Sequence, residues 1–475
     1  MDNPRCGQAW VLPVDGVWIP QGFSVPSASG PSSPRAGCPR RAGIFGAWYD
    51  VSHKAMILSN LQENDREVYE IIKREEKRQE EGIELIASEN YVSRAVLEAM
   101  GSVLTNKYSE GYPGKRYYGG NGVIDDAENL AISRAKELFG AEHVNVQPLS
   151  GSPANLAVYM ALLNPGDKVL GFSLDQGGHL SHGHPLNFSG KLYSIIPYFT
   201  KRDTETIDMD EVEAIALRER PKMILAGFSA YSRSLDWKRF RAIADKAGAF
   251  LFADIAHIAG LIAGKQLENP LPFCDVVSTT THKTLRGPRG AIIMCKEKFA
   301  AAIDRAVFPG VQGGPHDHAN AAKAVAFGEA LKPEFAEYSR RTIANARALA
   351  AALAAKGYRV VSGGTDNHLM LVDVFGSKGI TGKEAEAALE RAGISVNKNM
   401  IPFDSRKPLD PSGIRLGTPA LTTRGCGETD MGAVADIIDE ALQNRADEAR
   451  LAATAEKVRE FALRFPVPGI DEHGD

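Results

Sequence analysis

The sequence predicts an α/β protein in which a large, mostly parallel sheet is followed by a smaller α+β domain. Between Ile124 and Leu331, stretches with helical spacing alternate with short runs of β-branched residues, the pattern that builds βα units around a parallel sheet. After Lys332 and Pro333, a long helical stretch and several short strand patterns follow in a different order. The chain's 475 residues also exceed what one hydrophobic core usually serves, so we expect two packed domains.

Composition and charge exclude several classes of protein. The chain carries 55 Lys and Arg against 59 Asp and Glu, a net charge of -4 that argues against a strongly basic nucleic-acid binder. Its 5 cysteines include no C-x-x-C pair, which argues against a disulfide framework or a structural zinc site. No apolar run approaches the roughly 18 residues that a membrane-spanning helix needs. We therefore expect a globular protein of the reducing cytoplasm.

The N-terminal segment differs from the rest of the chain. Residues 1–54 are rich in Pro and Gly and show no helical periodicity, which predicts a disordered extension or the product of an upstream start codon, with Met56 as the natural start. A regulatory arm is the alternative. From Leu58 onward, apolar residues recur at the spacing of one helix face. This pattern predicts a helical arm within residues 55–108.

We place the large domain over residues 109–333. A loop rich in Gly and Tyr, residues 108–120, precedes its first helix, and we expect no regular element there. The strand candidates are Val144–Val146, Lys168–Leu170, Lys222–Ala226, Phe250–Ala253 and Val276–Val277. The helix candidates between them are Ala154–Leu163, Asp210–Arg218 and Lys238–Ala247.

We place the smaller α+β domain over residues 334–475. An alanine-rich helix is expected from Phe335 to Ala355, because Gly357 breaks the pattern just beyond it. The other expected elements are strands at Arg359–Val361, His368–Val374 and Ser395–Val396, helices at Lys383–Arg391 and from Met431 onward, and a loop at Ile401–Pro411.

The stretch around Lys283 is the most informative part of the sequence. Lys283 follows three threonines at the expected C-terminal end of a strand, where open α/β sheets bind their ligands. Glycines follow it and allow the backbone to bend closely around a ligand. A lysine is usually a solvated surface charge, but a desolvated one in this setting can form a Schiff base with an aldehyde cofactor.

Two further segments fit the same chemistry. Asp254 ends an apolar strand, and a buried acid is costly unless it has a partner, although a helix cap is the ordinary explanation. The protonated ring nitrogen of pyridoxal phosphate is such a partner. Residues 150–152 (Ser-Gly-Ser) join a strand to an apolar helix, where amide groups and the helix dipole bind phosphate. Together these segments predict a pyridoxal-phosphate site.

The chain resembles the serine hydroxymethyltransferase family from about Asn60 to the C-terminal helix. The matching segments are Glu84–Asn90, Glu110–Gly120, Gly177–Leu180, Asp254–Gly260, Thr279–Gly290, Phe308–Pro315 and Ser412–Pro419. The resemblance implies fold type I of the pyridoxal-phosphate-dependent transferases, which is aspartate aminotransferase-like. It also implies reversible transfer of a hydroxymethyl unit between serine and tetrahydrofolate, giving glycine and 5,10-methylenetetrahydrofolate.

The resemblance assigns roles to matching residues. Lys283 would bind the cofactor covalently, Asp254 would partner the pyridine nitrogen, and His179 would stack on the ring. The other implied cofactor contacts are Ser150, Gly151 and Ser152 at the phosphate, Ser229, His257 and His282, and Tyr108 and Gly314 from a second subunit. The implied catalytic residues are Lys283, His257, Thr280, Tyr118 and Glu110, the last from the second subunit and acting on the proton of the substrate hydroxyl. Arg415, with Ser88 and Tyr118, would bind the amino-acid substrate, and the implied folate contacts are Glu110, Tyr117, Leu174, Gly178, Leu180, Phe308 and Asn399.

The chain departs from the family pattern at several positions. The unusual residues are Leu149, Pro153, Asp175, Gln176, Asn121, Gly122 and the segment Pro315–His318. Neutral drift is one explanation, and a 2-methylserine hydroxymethyltransferase that uses D-alanine is another. A folate-independent aldolase, an aminotransferase or acyltransferase, and a binding protein built on this fold are the remaining alternatives.

Assembly and metal binding complete the expectations. Residues that act from a second subunit imply a homodimer, with a tetramer as the alternative. His282, His316 and His318 have no carboxylate or Cys at ligand spacing, so we expect no metal site.

Overall fold

The computed structural model describes residues 59–470. The predictions for residues 1–54 and for Met56 lie outside the described residues. The chain divides into two units, one that ends at Asp65 and one that begins at Arg66. In the first unit, helix α1 spans Ser59–Asn64.

The second unit begins with the predicted amphipathic helix. Helix α2 (Arg66–Glu81) contains no buried residue, and both Val68 and Ile71 on its apolar face are exposed. Strand β1 (Ile83–Glu84) and helix α3 (Arg94–Met100) follow. The apolar face that the sequence predicts is thus present, and two of its side chains remain exposed.

The loop rich in Gly and Tyr contains a short hairpin, so the expectation of no regular element there was wrong. Strand β2 (Gly111–Tyr112) pairs antiparallel with β3 (Lys115–Arg116). The tight turn between them is possible because Gly114 adopts φ +74°, a conformation that costs glycine little. The Arg116 guanidinium also donates to the carbonyl of Gly111 at 2.8 Å and holds the hairpin closed.

A seven-stranded mixed sheet forms the large part of the unit. Its strands are β4 (His143–Asn145), β5 (Lys168–Phe172), β6 (Ser194–Tyr198), β7 (Met223–Gly227), β8 (Phe250–Asp254), β9 (Val276–Thr280) and β10 (Ala291–Cys295), in the order β4-β10-β9-β8-β7-β5-β6. In this sheet β5 to β9 pair in parallel, and β10 runs antiparallel to both β4 and β9. The five predicted strands are confirmed within a few residues, whereas β6 and β10 were not predicted.

Helices cover this sheet as the alternating pattern predicts. They are α4 (Gly122–Phe139), α5 (Gly151–Leu162), α6 (Phe188–Leu192), α7 (Met209–Glu219), α8 (Trp237–Ala247), α9 (Ala259–Ala263), α10 (Ala300–Arg305) and α11 (Asp317–Ala330). Short 3-10 turns lie at Val103–Asn106, Leu174–Gln176, Leu180–His182 and Glu297–Phe299, and a π-helical turn lies at Ala306–Val311. Buried side chains of the sheet and helices form a continuous apolar core. The α/β class is therefore confirmed.

A second, smaller sheet lies in the C-terminal region. Strands β11 (Arg359–Val360), β12 (Leu369–Asp373), β14 (Asn397–Asn399) and β15 (Gly413–Gly417) pair antiparallel in the order β11-β12-β15-β14, and β13 (Ile394–Ser395) pairs in parallel with β1. The helices of this region are α12 (Pro333–Ala355), α13 (Val374–Lys378), α14 (Gly382–Arg391), α15 (Pro419–Thr423), α16 (Met431–Gln443) and α17 (Glu448–Ala462), with 3-10 turns at Val361–Gly363 and Glu428–Asp430. The expected closing helix is two helices, because the chain turns between Gln443 and Glu448.

The smaller sheet has an apolar core of its own, to which the first half of the chain contributes Ile83 and Leu85. The boundaries that we place at residues 108 and 333 remain predictions. Among residues 59–470, no helix is both long enough and apolar enough to cross a bilayer.

Candidate active site

A cavity of about 410 Å³ lies at the carboxyl ends of β7, β8 and β9, where it also meets β15 of the smaller sheet. Loops after parallel strands converge at this edge, which is why α/β sheets bind ligands there. Its lining residues are Ser88, Glu89, Ser150, Gly151, Ser152, His179, Phe228, Ser229, Asp254, Ala256, His257, Thr280, His282, Lys283, Arg289 and Arg415. Twelve of these are residues that the resemblance assigns to the cofactor, the amino-acid substrate or catalysis.

Lys283 lies in the loop after β9 and is buried. Its Nζ donates no hydrogen bond to any of the described residues, and Asn90 fixes its backbone by donating to its carbonyl at 3.0 Å. Burial lowers the pKa of Lys283 to about 8, although the nearby Asp254 charge opposes this effect. Roughly a tenth of the amine is therefore neutral at pH 7, and this fraction can attack a carbonyl group.

Asp254 ends β8 and is held as a carboxylate by two side chains. Asn155 on α5 donates to its Oδ2 at 2.8 Å, and His182 Nε2 lies 3.1 Å from the same oxygen. Burial alone would raise the pKa of Asp254, but the hydrogen bond and charge of His182 and the bond from Asn155 outweigh it and hold the pKa below its usual value. The cavity thus contains a buried anion with one lysine nearby.

The hydrogen-bond network around Asp254 includes His179 and determines which nitrogen of its ring carries the proton. The backbone N–H of Ser181 donates to His179 Nδ1 at 3.2 Å, and the Ser181 hydroxyl lies 2.7 Å from the same atom. Asn155 Nδ2 donates to that hydroxyl at 2.8 Å, so the hydroxyl proton is free to point at His179. Burial lowers the pKa of His179 to about 4, so its ring is neutral with the proton on Nε2.

The other end of the cavity is formed by the start of α5. Ser150 precedes the helix in an extended conformation, and no side chain caps the first turn. A Cβ on Gly151 would lie only 2.9 Å from Thr280 Cγ2, so only glycine fits between this turn and β9. The exposed amides and the helix dipole make this a site for an anion.

Two more histidines, His257 and His282, line the cavity, and a third, His368, lies behind them. His257 is fully buried, and its Nδ1 lies 3.3 Å from Nε2 of the buried His368. Burial and the Lys283 charge hold the pKa of His257 well below its usual value. His282 contributes a buried Nδ1 that has no hydrogen-bond partner among the described residues, and burial lowers its pKa to about 3. These rings are neutral, so the positive charge in the cavity comes from Lys283, Arg289 and Arg415.

Arg415 on β15 enters the cavity from the smaller sheet. Its Nε donates to Asn397 Oδ1 at 3.0 Å and its Nη1 to the carbonyl of Ser229 at 2.7 Å. Two hydrogens on Nη2 and one on Nη1 are left for a ligand. Donors on these two neighbouring nitrogens can bind both oxygens of a carboxylate. Burial lowers its pKa to about 10, so it stays charged at neutral pH.

The remaining predicted residues do not line this cavity. Tyr108, Glu110, Tyr117, Tyr118 and Gly314, which we call the loop cluster, pack against one another on the surface of the same chain. Tyr108 OH donates to Glu110 Oε1 at 3.3 Å and its ring stands edge-on to Tyr118 with centroids 5.2 Å apart. The Tyr117 ring meets Phe308 at 5.6 Å. Tyr117 is 73% exposed and Tyr108 is 55% exposed, so the loop cluster presents aromatic surface to its surroundings.

The other predicted folate residues also lie outside the lining. Leu174, Gly178 and Leu180 belong to the loop that carries His179, and Leu180 is 53% exposed. Asn399 ends β14, where its amide donates to the carbonyl of Met400 at 2.6 Å. The chain alone therefore brings together the predicted cofactor residues other than Tyr108 and Gly314, but none of the predicted folate residues lines the cavity.

Several residues of the cavity network were not predicted. Asn155, Ser181, His182, His368 and Asn397 lie one layer behind the lining. His179, His182 and Asp254 lie close enough to hold a metal ion, their ligand atoms being within 4.8 Å of one another. Hydrogen bonds between these same atoms and to Ser181 account for the arrangement.

Comparison with known proteins agrees with this geometry. The sequence matches the family model described as "Serine hydroxymethyltransferase" over residues 61–438. A protein named serine hydroxymethyltransferase from Acidobacterium capsulatum is 60% identical over 410 residues, which cover 86% of this chain and 96% of that protein. A protein of the same name from Koribacter versatilis is 58% identical over 408 residues, with the same two shares.

Proposed function

We propose residue roles from the premise that this chain belongs to the serine hydroxymethyltransferase family. Enzymes of this family depend on pyridoxal phosphate and use tetrahydrofolate as co-substrate. The chain is thus a hydroxymethyltransferase that moves a one-carbon unit between serine and tetrahydrofolate. Fold type I, which the resemblance implies, is supported by a mixed sheet with a lysine and an acid at its carboxyl edge.

The cavity fits pyridoxal phosphate at three separate points. Lys283 offers a buried amine that has no hydrogen-bond partner within residues 59–470, and Asp254 offers a buried carboxylate. The turn at Gly151 offers amides that the Ser150 side chain does not cap. When bound, the cofactor supplies an electron sink for a bond broken at the substrate's Cα. Lys283 would bind its aldehyde carbon, Ser150 to Ser152 would hold its phosphate, and Asp254 would keep the ring nitrogen protonated.

The remaining lining residues would orient the ring and the amino acid. The neutral His179 ring would stack on the cofactor, and Ser229, His257 and His282 would contact its polar edge. Thr280, which lines the cavity beside Lys283, would help to move protons during exchange of the amino acid. The free N–H groups of Arg415, with Ser88, would bind the substrate carboxylate and so fix which bond at Cα faces the ring.

The loop cluster would complete a neighbouring subunit's site rather than its own. It is exposed, it is absent from the lining of this chain's cavity, and it contains the carboxylate needed to move a proton at the substrate hydroxyl. Tyr108 and Gly314 would then reach the cofactor phosphate of the second chain, and Glu110 and Tyr118 would reach its substrate. Tyr117, Leu174, Gly178, Leu180, Phe308 and Asn399 would surround the folate. We therefore propose a homodimer, or a tetramer built from such dimers.

The observation that carries the proposal is the pairing of Lys283 with Asp254 in one buried cavity. Purified protein should show visible absorbance of bound cofactor, and glycine with tetrahydrofolate should change it strongly. A protein that takes up no pyridoxal phosphate would refute the site. A cofactor spectrum that responds to glycine but not to added tetrahydrofolate would indicate a folate-independent aldolase instead.

The choice between serine and 2-methylserine rests on the unusual positions. None of Leu149, Pro153, Asp175 or Asn121 lines the cavity, which favours drift and ordinary serine chemistry. Turnover of L-serine should therefore exceed that of α-methyl-L-serine in the presence of tetrahydrofolate. The reverse preference, with D-alanine replacing glycine in the back reaction, would assign the 2-methylserine activity.

A cytoplasmic location is supported by the cysteines. Cys274, Cys295 and Cys426 are buried and unpaired among the described residues, as expected in a reducing compartment.

A further inference from the structure

Lys323 is a fully buried lysine that the proposed chemistry does not use. It lies on α11, is 1% exposed, and forms no ion pair with a carboxylate of the described residues. Its Nζ donates to the carbonyls of Val146 at 2.5 Å and Pro148 at 3.2 Å and to Asn320 Oδ1 at 3.2 Å. Burying an ammonium group among neutral acceptors is costly, and such a residue persists where its position is needed.

Gly290 leaves room for the Lys323 side chain in the folded protein. A Cβ on Gly290 would lie 2.6 Å from Lys323 Cε, and Gly290 has no positive φ that would otherwise explain a glycine there. The Pro148 carbonyl that Lys323 binds also accepts the backbone N–H of Ala291 at 3.1 Å. Lys323 therefore joins the segment before the phosphate-binding turn to the turn that follows Lys283.

The two carbonyls that Lys323 binds belong to the segment just before the proposed phosphate site. Val146 and Pro148 immediately precede Leu149 and Ser150, and Leu149 N donates to Gln312 Oε1 at 2.9 Å. With its carbonyls fixed on one side and its amide on the other, the segment has little freedom to rotate. The direction of the amides that follow, at residues 150–152, is set by that segment.

We propose that Lys323 is a positioning residue that orients the Ser150–Ser152 amides toward the cofactor phosphate and places a positive charge behind them. Preorganised donors in a site of low dielectric bind an anion more strongly than mobile ones, because no reorganisation is needed on binding. Burial lowers the pKa of Lys323 to about 7, and a bound dianion would favour its charged form. The inference rests on the proposed role of residues 150–152 as the phosphate site.

The test compares two ligands that differ only in the phosphate. The full chain, stripped of cofactor, is titrated with pyridoxal phosphate and with pyridoxal, and both dissociation constants are measured from the absorbance of the bound ligand. Lys323→Met should weaken pyridoxal phosphate binding by roughly tenfold or more, the usual size of an effect transmitted through a supporting residue. Pyridoxal binding should change by less than about twofold, because Lys283 and Asp254 are untouched.

Two further variants keep the test decisive. Gly290→Ala pushes on the Lys323 side chain without removing it, and it should shift the ratio of the two constants in the same direction by a smaller factor. If Lys323→Met does not fold, Gly290→Ala decides the outcome. Lys265→Met is the matched control, since Lys265 Nζ donates to the Leu138 carbonyl at 3.1 Å away from the cavity, and it should leave the ratio unchanged.

Two results would overturn the inference about Lys323. Equal weakening of both ligands would show a general structural role, and unchanged binding of both would show no role. A wild-type protein that binds pyridoxal as tightly as pyridoxal phosphate would instead refute the phosphate site itself. That third result is visible before any variant is made, so the two failures are distinguishable.

Discussion

The cavity and the loop cluster are built in opposite ways, although both hold residues expected to act on the same substrates. In the cavity Lys283 and Asp254 are buried, and Asp254 and His179 are joined to Asn155 through hydrogen bonds that leave each group one protonation state. In the loop cluster the three tyrosines are exposed, and Glu110 has one side-chain partner among the described residues, the Tyr108 hydroxyl at 3.3 Å. Next to the loop cluster in the chain, the buried side chain of Arg116 forms ion pairs with Asp125 at 2.8 Å and with Glu128 at 2.7 Å.

This difference separates what one chain can do from what needs a second. A hydrogen-bonded interior sets pKa values and orientations without outside help. The half-buried Glu110 carboxylate, between exposed tyrosines, is held in place less firmly until another surface covers it. The exposed apolar face of α2 is a second surface that a single chain leaves open.

The largest effect is expected inside the cavity. Lys283→Ala removes the side chain that we propose bonds the cofactor covalently, and turnover should fall by on the order of 10⁴-fold or more, as for other nucleophile deletions. The same variant should lose the wild-type visible spectrum of bound cofactor. Lys168→Ala, at an exposed lysine of the same sheet, is the control and should leave both unchanged. Turnover that survives in Lys283→Ala would remove the cavity from the chemistry.

A complementation experiment tests whether the loop cluster acts in the cavity of a second chain. Glu110→Gln should lower turnover by roughly 10² to 10⁴-fold, the usual range for a proton-transfer group. Mixing and reassociating equal amounts of this variant and Lys283→Ala should restore about a quarter of wild-type activity, because half of the dimers are mixed and each has one intact site. No restoration after proven subunit exchange would place Glu110 and Lys283 in the same chain's site.

A smaller effect is expected behind the cavity lining. Asn155→Ala removes the amide that joins Asp254 to Ser181, and kcat should fall by about 10 to 100-fold with little change in KM for serine. The absorbance of bound cofactor should also shift, because the Asp254 carboxylate is held less firmly at the ring nitrogen. Asn269→Ala is a matched control, since its amide also donates a hydrogen bond, to the Phe139 carbonyl, and neither residue lines the cavity. A loss of stability with normal kinetics would contradict this role.

The smallest effect is expected in the pH dependence of cofactor attachment. Covalent attachment of the cofactor needs the neutral amine of Lys283, so its rate in the cofactor-free protein should rise with pH and level off above about 8, the lowered pKa of this lysine. An exposed lysine would level off only near its ordinary value of 10.5. A profile that still rises at pH 9 and above would mean that burial does not lower the pKa of Lys283.

The sequence predicted the first layer of the cavity because that layer follows strand ends. Lys283 and Asp254 come directly after short apolar runs, and the Ser-Gly-Ser turn begins a helix, so their meeting at one sheet edge follows from topology. Asn155 and His368 carry no such signal, since a polar residue inside a helix or before a strand usually faces solvent. Strand β10 was missed because its antiparallel direction depends on the loop around Lys283 and not on the alternating pattern of helices and strands.

Local patterns of apolar, β-branched and glycine residues thus determined the α/β class, the family resemblance and the placement of Ser150, Asp254 and Lys283 at helix and strand ends that meet in one cavity. Only the tertiary structure decided that Asn155 links Asp254 to His179 through Ser181, that Lys323 binds the segment just before Ser150, and that Glu110 does not line this chain's cavity. The reason is physical. Hydrogen-bond partners and burial are set by residues distant in sequence, whereas strands, turns and helix ends are set by their neighbours.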